Sequence, residues 1–133
     1  MATAKLFLIT FFISTIAWSA NAAELRAQES AEYGVTVAVT PLNVAAGAKA
    51  WEFKVTLDTH SQDLSDDLTK SAVLLDGTGA SYKAVDWEGS PAGGHHREGV
   101  LRFKPPTAQP KSIELRVERR GEPQPRSFRW ELN

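Results

Sequence analysis

The sequence predicts an all-β fold, an immunoglobulin-like two-sheet sandwich of about seven strands with one short helical crossover. Three observations carry that expectation. Short runs in which apolar and polar residues alternate recur from Tyr33 to the C-terminus, and period two marks a strand with one face in a core and one in water. Gly, Pro, Asn and Asp punctuate these runs at short intervals, where turns need them. No stretch keeps the helical apolar period for long, and no segment repeats. The spacing favours a sandwich over a barrel, although strand count alone does not separate the two.

The chain opens on a leader. Lys5, the apolar run Leu6 to Trp18 broken by Thr10, Ser14 and Thr15, and the small residues Ser19-Ala20-Asn21-Ala22-Ala23 follow the order of a secretory signal with an A-x-A cleavage site. The run of about 13 residues falls short of the roughly 20 that span a bilayer core comfortably. Residues 1–22 are therefore expected to be cleaved, leaving a soluble exported protein, periplasmic or extracellular, with no membrane insertion. The chain has no cysteine, which excludes a lipidated N-terminus, disulfides, thiolate metal sites and cysteine nucleophiles.

Residues 23–32 are polar and aperiodic and read as a flexible lead. The domain is expected over 33–133. Its first strand has Tyr33, Val35, Val37 and Val39 on one face, and Pro41 to Lys49 follow as a loop. The strongest strand comes next, with Trp51, Phe53, Val55 and Leu57 inward and Glu52, Lys54, Thr56 and Asp58 outward. Asp63, Asp66 and Asp67 with Leu64 and Leu68 suggest a helical turn or two that crosses between sheets. Ala72–Leu75 and Tyr82–Trp87 flank Asp76-Gly77-Thr78-Gly79, a hairpin turn. Glu88 to Glu98 is a glycine-rich loop, and Val100–Phe103 is a strand stopped by Pro105-Pro106. Ile113, Leu115 and Val117, then Phe128, Trp130 and Leu132, form the last two inward rows around the Gly121–Pro125 turn.

All 16 acids and all but one of the 15 lysines and arginines follow the leader, so no net basic footprint for nucleic acid exists. Arg116, Arg119, Arg120, Arg126 and Arg129 interleave with Glu114, Glu118, Glu122 and Glu131, and read as solvated strand faces.

Two segments are distinctive: Trp51-Glu52-Phe53 running into Asp58-Thr59-His60-Ser61 and Asp63-Leu64, and Trp87-Glu88-Gly89 followed by Gly93-Gly94-His95-His96-Arg97-Glu98-Gly99-Val100-Leu101-Arg102-Phe103. From Val35 to Trp130 the chain resembles a group of small exported prokaryotic immunoglobulin-like domains. The resemblance implies the sandwich fold. It brings no activity or site residues, because fold does not fix function.

All three histidines lie in these segments. If the strand keeps its register to the end, Asp58 and His60 share one face at roughly 6–7 Å. If the segments meet, His60 with His95 or His96 can bind Cu(II) or Zn(II) through neutral imidazoles, with Asp58, Asp63 or Asp86 adding oxygen. The competing reading is that these side chains hydrogen-bond the backbone of irregular loops. Asp63, Asp66 and Asp67 match no calcium loop, and a helix N-terminus explains them as well. Ser61 with His60 and Asp58, or Ser90 near His95, could be hydrolytic, but residues adjacent on a strand rarely reach triad geometry. Asp63, Trp87 and Arg97 are candidate binding-loop residues, with core packing the alternative for Trp87. The expectation is a non-catalytic extracytoplasmic domain that binds an envelope protein or a small ligand. A divalent-metal module is the alternative.

Overall fold

A computed structural model of the protein describes residues 25–132, so the leader expected over 1–22 lies outside the described residues. The fold is all-β. Eight strands run antiparallel throughout: β1 (Gln28–Glu32), β2 (Val35–Asn43), β3 (Trp51–Thr59), β4 (Ala72–Leu75), β5 (Ser81–Gly89), β6 (His96–Phe103), β7 (Ser112–Val117) and β8 (Arg126–Glu131), with one helical turn, α1 (Leu68–Ser71), before β4. Their order across the sheet is β1-β2-β3-β6-β5-β4-β7-β8. Seven strands were expected, and the eighth is β1, which occupies the segment read as a flexible lead. That segment lacks alternation because β1 buries no side chain in the core.

The expected two sheets are joined into one. Strand β5 pairs with β4 through Ser81–Lys83 and with β6 through Ala84–Gly89, with a register shift between Ala84 and Asp86. A bulge bends a strand and raises its twist; here it leaves Val85 exposed and carries the sheet round a corner. The sheet curls until β8 comes back beside β1, nearly closing a barrel. Side chains bridge the seam. The Gln28 amide accepts from the Arg129 N–H at 3.1 Å and donates to its carbonyl, and the Trp130 indole donates to Arg26 O at 2.8 Å.

The inward rows are those the alternation predicts. Trp51, Phe53, Val55 and Leu57 are fully buried against Val35, Val37 and Val39 on one side and Leu101 and Phe103 on the other. Phe53 meets Phe103 edge to face at 5.7 Å and Trp130 at 5.9 Å, contacts worth about 0.5–1.5 kcal/mol each beyond area burial. Tyr33 departs from its predicted row. It sits with Gly34 in the two-residue turn between β1 and β2, at φ 51° and 74°, the two positive values that a type I′ hairpin needs. Its ring is more than half exposed. The predicted turn at Asp76 is present: its carboxylate accepts from Thr78 N and Oγ1 at 2.9 and 2.7 Å and from the Tyr82 hydroxyl at 3.2 Å.

The connections sort to two ends. The Tyr33-Gly34 turn, the β3–β4 crossover, the β5–β6 loop and the β7–β8 loop gather at one end. The β2–β3 and β4–β5 turns and the β6–β7 connection lie at the other. Among the described residues no helix is long and apolar enough to cross a membrane.

Candidate functional site

The first end holds the histidines. Asp58 is next to last in β3 and His96 opens β6, and the two are cross-strand partners. Their side chains meet on the outer face, His96 Nδ1 to Asp58 Oδ1 at 2.5 Å, with Glu98 Oε2 3.8 Å from the other ring nitrogen. The Asp58 hydrogen bond and charge, helped by Glu98, raise the His96 pKa above its ordinary value. Glu98 is held below the usual carboxylate range, first by Lys54 at 2.9 Å.

The two irregular segments are fastened to each other by backbone. Thr59 N donates to His95 O at 3.0 Å, Leu64 N to Gly94 O at 3.1 Å, and Gly93 N to Leu64 O at 2.8 Å. The Thr59 hydroxyl donates to Gly34 O at 2.7 Å and accepts from Ser61 N and Gln62 N. Gly34, Thr36, Asp58, Thr59, His60, His95 and His96 consequently line one open cleft. The expected meeting of the Asp58-His60 and His95-His96 segments takes place, and it adds Gly34, Thr36 and Thr59, which sequence reasoning missed. The signal for them was the antiparallel pairing of the two alternating runs either side of the Pro41–Lys49 connection, which sets Val35 opposite Thr59 and Thr36 opposite Asp58.

Other candidates stay out of the cleft. The Asp63 carboxylate accepts from Gly94 N at 2.9 Å, the loop-bonding role weighed against ligation. Asp67 caps α1 by accepting from Thr69 N and Oγ1, Asp66 pairs with Arg119, and Asp86 pairs with Arg102 six residues along β6 from His96. Three aspartates with three different partners make no calcium loop. The Ser90 hydroxyl bonds both Glu98 O and Glu98 N, extending the end of the β5–β6 ladder. Among the described residues no group of three or more His, Asp or Glu is gathered to hold a metal ion.

Trp87 and Arg97 stand on strands instead of on a binding loop, Trp87 half-buried against the core and Arg97 buried. Arg97 is 2% exposed and donates to Leu64 O at 3.2 Å and Asp66 O at 2.7 Å. Its guanidinium stacks 5.5 Å over the Trp87 ring, whose indole donates to Ser90 O at 2.9 Å. Burial pushes the Arg97 pKa down against the nearby charges of Asp66 and Asp67. Gly99 makes room for this stack: a Cβ there would stand 2.7 Å from Trp87 Cζ2 and 2.6 Å from Glu88 O.

Arg119 and Arg126 overturn the reading of the late arginines as solvated, whereas Arg116, Arg120 and Arg129 are exposed as expected. Arg119 binds Asp66 through Nε and Nη2 and Glu122 through Nη1. Arg126, whose side chain is fully buried, binds Glu122 through Nε and Nη2 and donates to the carbonyls of Ser30, Glu32 and Val35. Burial pushes the Glu122 carboxyl up, but hydrogen bonds and charge from Arg126 and Arg119 outweigh it and hold the pKa below the usual range. Strand parity was the available signal, since Arg97 continues the row of Gly99, Leu101 and Phe103, Arg119 that of Leu115 and Val117, and Arg126 that of Phe128 and Trp130.

Comparison with protein-family models, with curated proteins and with solved structures finds no match.

Proposed function

We propose that the protein is a non-catalytic extracytoplasmic domain that works by binding, its partner an envelope protein or a small ligand seated in the cleft beside the Asp58–His96 pair. One observation supports this above the rest. Asp63, Asp66 and Asp67 commit their carboxylates to Gly94, Arg119 and Thr69, whereas His60 and His95 lie exposed beside the Asp58–His96 pair on a backbone-fastened rim. Convergent polar groups on a rigid concave surface are what a recognition site needs. Export after cleavage of residues 1–22, and kinship with the small exported immunoglobulin-like domains suggested by the two histidine segments, belong to the same reading.

The divalent-metal reading rests on the imidazoles that share this cleft, but His96 is already engaged by Asp58. The test has two arms. A photo-crosslinking residue at Thr36, in the cleft, is expected to capture one discrete partner in producing cells, and the same residue at Thr107, at the opposite end, is expected to capture none. Equal capture at both positions refutes the cleft. Titration of the purified protein with Cu(II) and Zn(II) is expected to show nothing tighter than about 10 μM. Tighter binding that His60→Ala with His95→Ala abolishes would transfer the assignment to metal.

A further inference from the structure

We propose that β1 is an exchangeable strand, and that the slot between β2 and β8 accepts the β1 of a second copy of this chain to form a reciprocally swapped dimer. Four observations lead there. First, β1 buries none of its side chains, so leaving the slot takes no strand side chain out of the core, and the one apolar contact that goes with it is that of the partly buried Leu25 just ahead of the strand. What it gives up is main-chain pairing to β2 and the seam contacts to β8, all of which a second copy restores.

Second, the hinge is short and strained. Tyr33 and Gly34 are the whole connection between β1 and β2, and Tyr33 holds φ at 51°, a region that bulky side chains adopt only under constraint. Opening the hinge lets Tyr33 return to an extended conformation, and short strained hinges favour swapping. Little holds the Tyr33 ring in place, since it is more than half exposed.

Third, the slot carries its own receptors for a strand backbone. Arg126 donates to Ser30 O at 2.8 Å and Glu32 O at 2.7 Å, and the Trp130 indole donates to Arg26 O. With β1 gone, a buried guanidinium loses two acceptors, and such a group demands replacements. Fourth, one contact selects the occupant. Gln28 presents its amide to both the N–H and the carbonyl of Arg129, imitating the peptide unit that would close the ladder. An unrelated strand offers carbonyls to Arg126 but not this glutamine, so the β1 of this same chain fits best. The bonds of β1 itself are all re-formed on exchange, and those at stake are the Gln62 and Thr59 bonds to the hinge carbonyls of Tyr33 and Gly34, so hinge relief and concentration must drive dimerisation against them.

The absence of cysteine makes the test direct. Glu29 and Ala38 are cross-strand partners. Protein carrying Glu29→Cys is mixed with protein carrying Ala38→Cys, partly unfolded in urea at high concentration, refolded, diluted and oxidised. The swap predicts a disulfide-linked heterodimer several-fold more abundant than either homodimer and eluting at twice the monomer mass. Tyr33→Gly, which removes the hinge strain, is expected to lower its yield several-fold. Ala31→Cys with Thr36→Cys, another cross-strand pair, repeats the experiment if the first pair folds poorly. A heterodimer no commoner than the homodimers, or a yield that Tyr33→Gly leaves unchanged, overturns the proposal.

Discussion

Replacing Glu122 by glutamine tests the ionic cluster at the site end. Glu122 lies between two arginines whose side chains are 4% and 0% exposed, and its own is 3% exposed. Its two oxygens accept three bonds, from Arg119 Nη1 at 3.1 Å and from Arg126 Nε and Nη2 at 3.0 and 2.7 Å. Glutamine keeps one acceptor oxygen but turns an amide N–H₂ toward a donor and removes the charge facing both guanidiniums. Breaking a buried pair by removing one partner costs about 3–5 kcal/mol. The retained oxygen places Glu122→Gln at the lower end, about 3 kcal/mol, or about 12–24 °C in Tm for a domain near 100 residues. The assay is urea and thermal unfolding followed by tryptophan fluorescence. Lys54→Met, which breaks the half-exposed pair with Glu98, serves as the control and should cost under about 1 kcal/mol. The pH dependence sharpens the test. Because the Glu122 pKa is depressed on folding, its contribution is present above the unfolded value of about 4.3 and is lost as pH falls through the folded one. The gap between wild type and variant should therefore close in acid. A Glu122→Gln protein within about 0.5 kcal/mol of wild type at pH 7 would falsify the account of the cluster.

Three further outcomes are expected. The His96 imidazole should titrate above about 6.5 by NMR and move down toward that value in Asp58→Asn, because Asp58 is the main cause of the rise; the stability it contributes is present below about 6.5 and lost as pH rises through the folded value. An unmoved His96 resonance in Asp58→Asn would contradict the pairing. Gly99→Ala should destabilise by about 1–3 kcal/mol, since its Cβ would press on Glu88 O and the Trp87 ring; a neutral result would mean that the stack has slack. Arg97→Met should cost about 2–3 kcal/mol, the worth of its charged bonds to the Leu64 and Asp66 carbonyls. Amide exchange should accelerate over residues 60–67 more than in β7 and β8, and uniform acceleration would deny Arg97 a local role.

Where a strand buries its own apolar row, local sequence specifies it. Trp51 to Leu57 alternate cleanly because each inward side chain meets the core directly, and β4 falls on Ala72–Leu75 as expected. β1 leaves no such trace. Gln28, Glu29, Ser30, Ala31 and Glu32 are held by pairing with β2 and by Arg126 and Trp130 far along the chain, and no local period records a partner that distant. One sheet instead of two was hidden for a similar reason, since the corner depends on the single bulge at Val85. The meeting of the histidine segments was legible because both interrupt strands at turn signals, and Asp67 caps α1 as the helix N-terminus reading expects, whereas the destinations of Asp63 and Asp66 depended on Gly94 and Arg119, which sequence distance conceals.

On the proposed reading of the cleft as a binding site, the buried arginines supply its support. Apolar rows that ran to the end of the barrel would leave a wet hydrophobic rim. Here Arg97, Arg119 and Arg126 continue those rows, each covering apolar surface with its stem and presenting donors to loop carbonyls and carboxylates. The crossover from Thr59 to α1 is the element they secure, since Arg97 holds Leu64 O and Asp66 O, and Arg119 holds the Asp66 carboxylate. The same crossover begins with His60 and is fastened to His95 through Thr59. Its inner side is therefore fixed by charge-assisted bonds, His95 is tied to it through the Thr59 N–H, and His96 is held by the Asp58 carboxylate. In that reading a rim fixed in this way would meet a ligand with little backbone left to order. Loosening Arg97 should accordingly weaken partner capture through Thr36 even though Arg97 never reaches the surface, and full capture by a folded Arg97→Met protein would show that the arginine support is irrelevant to recognition.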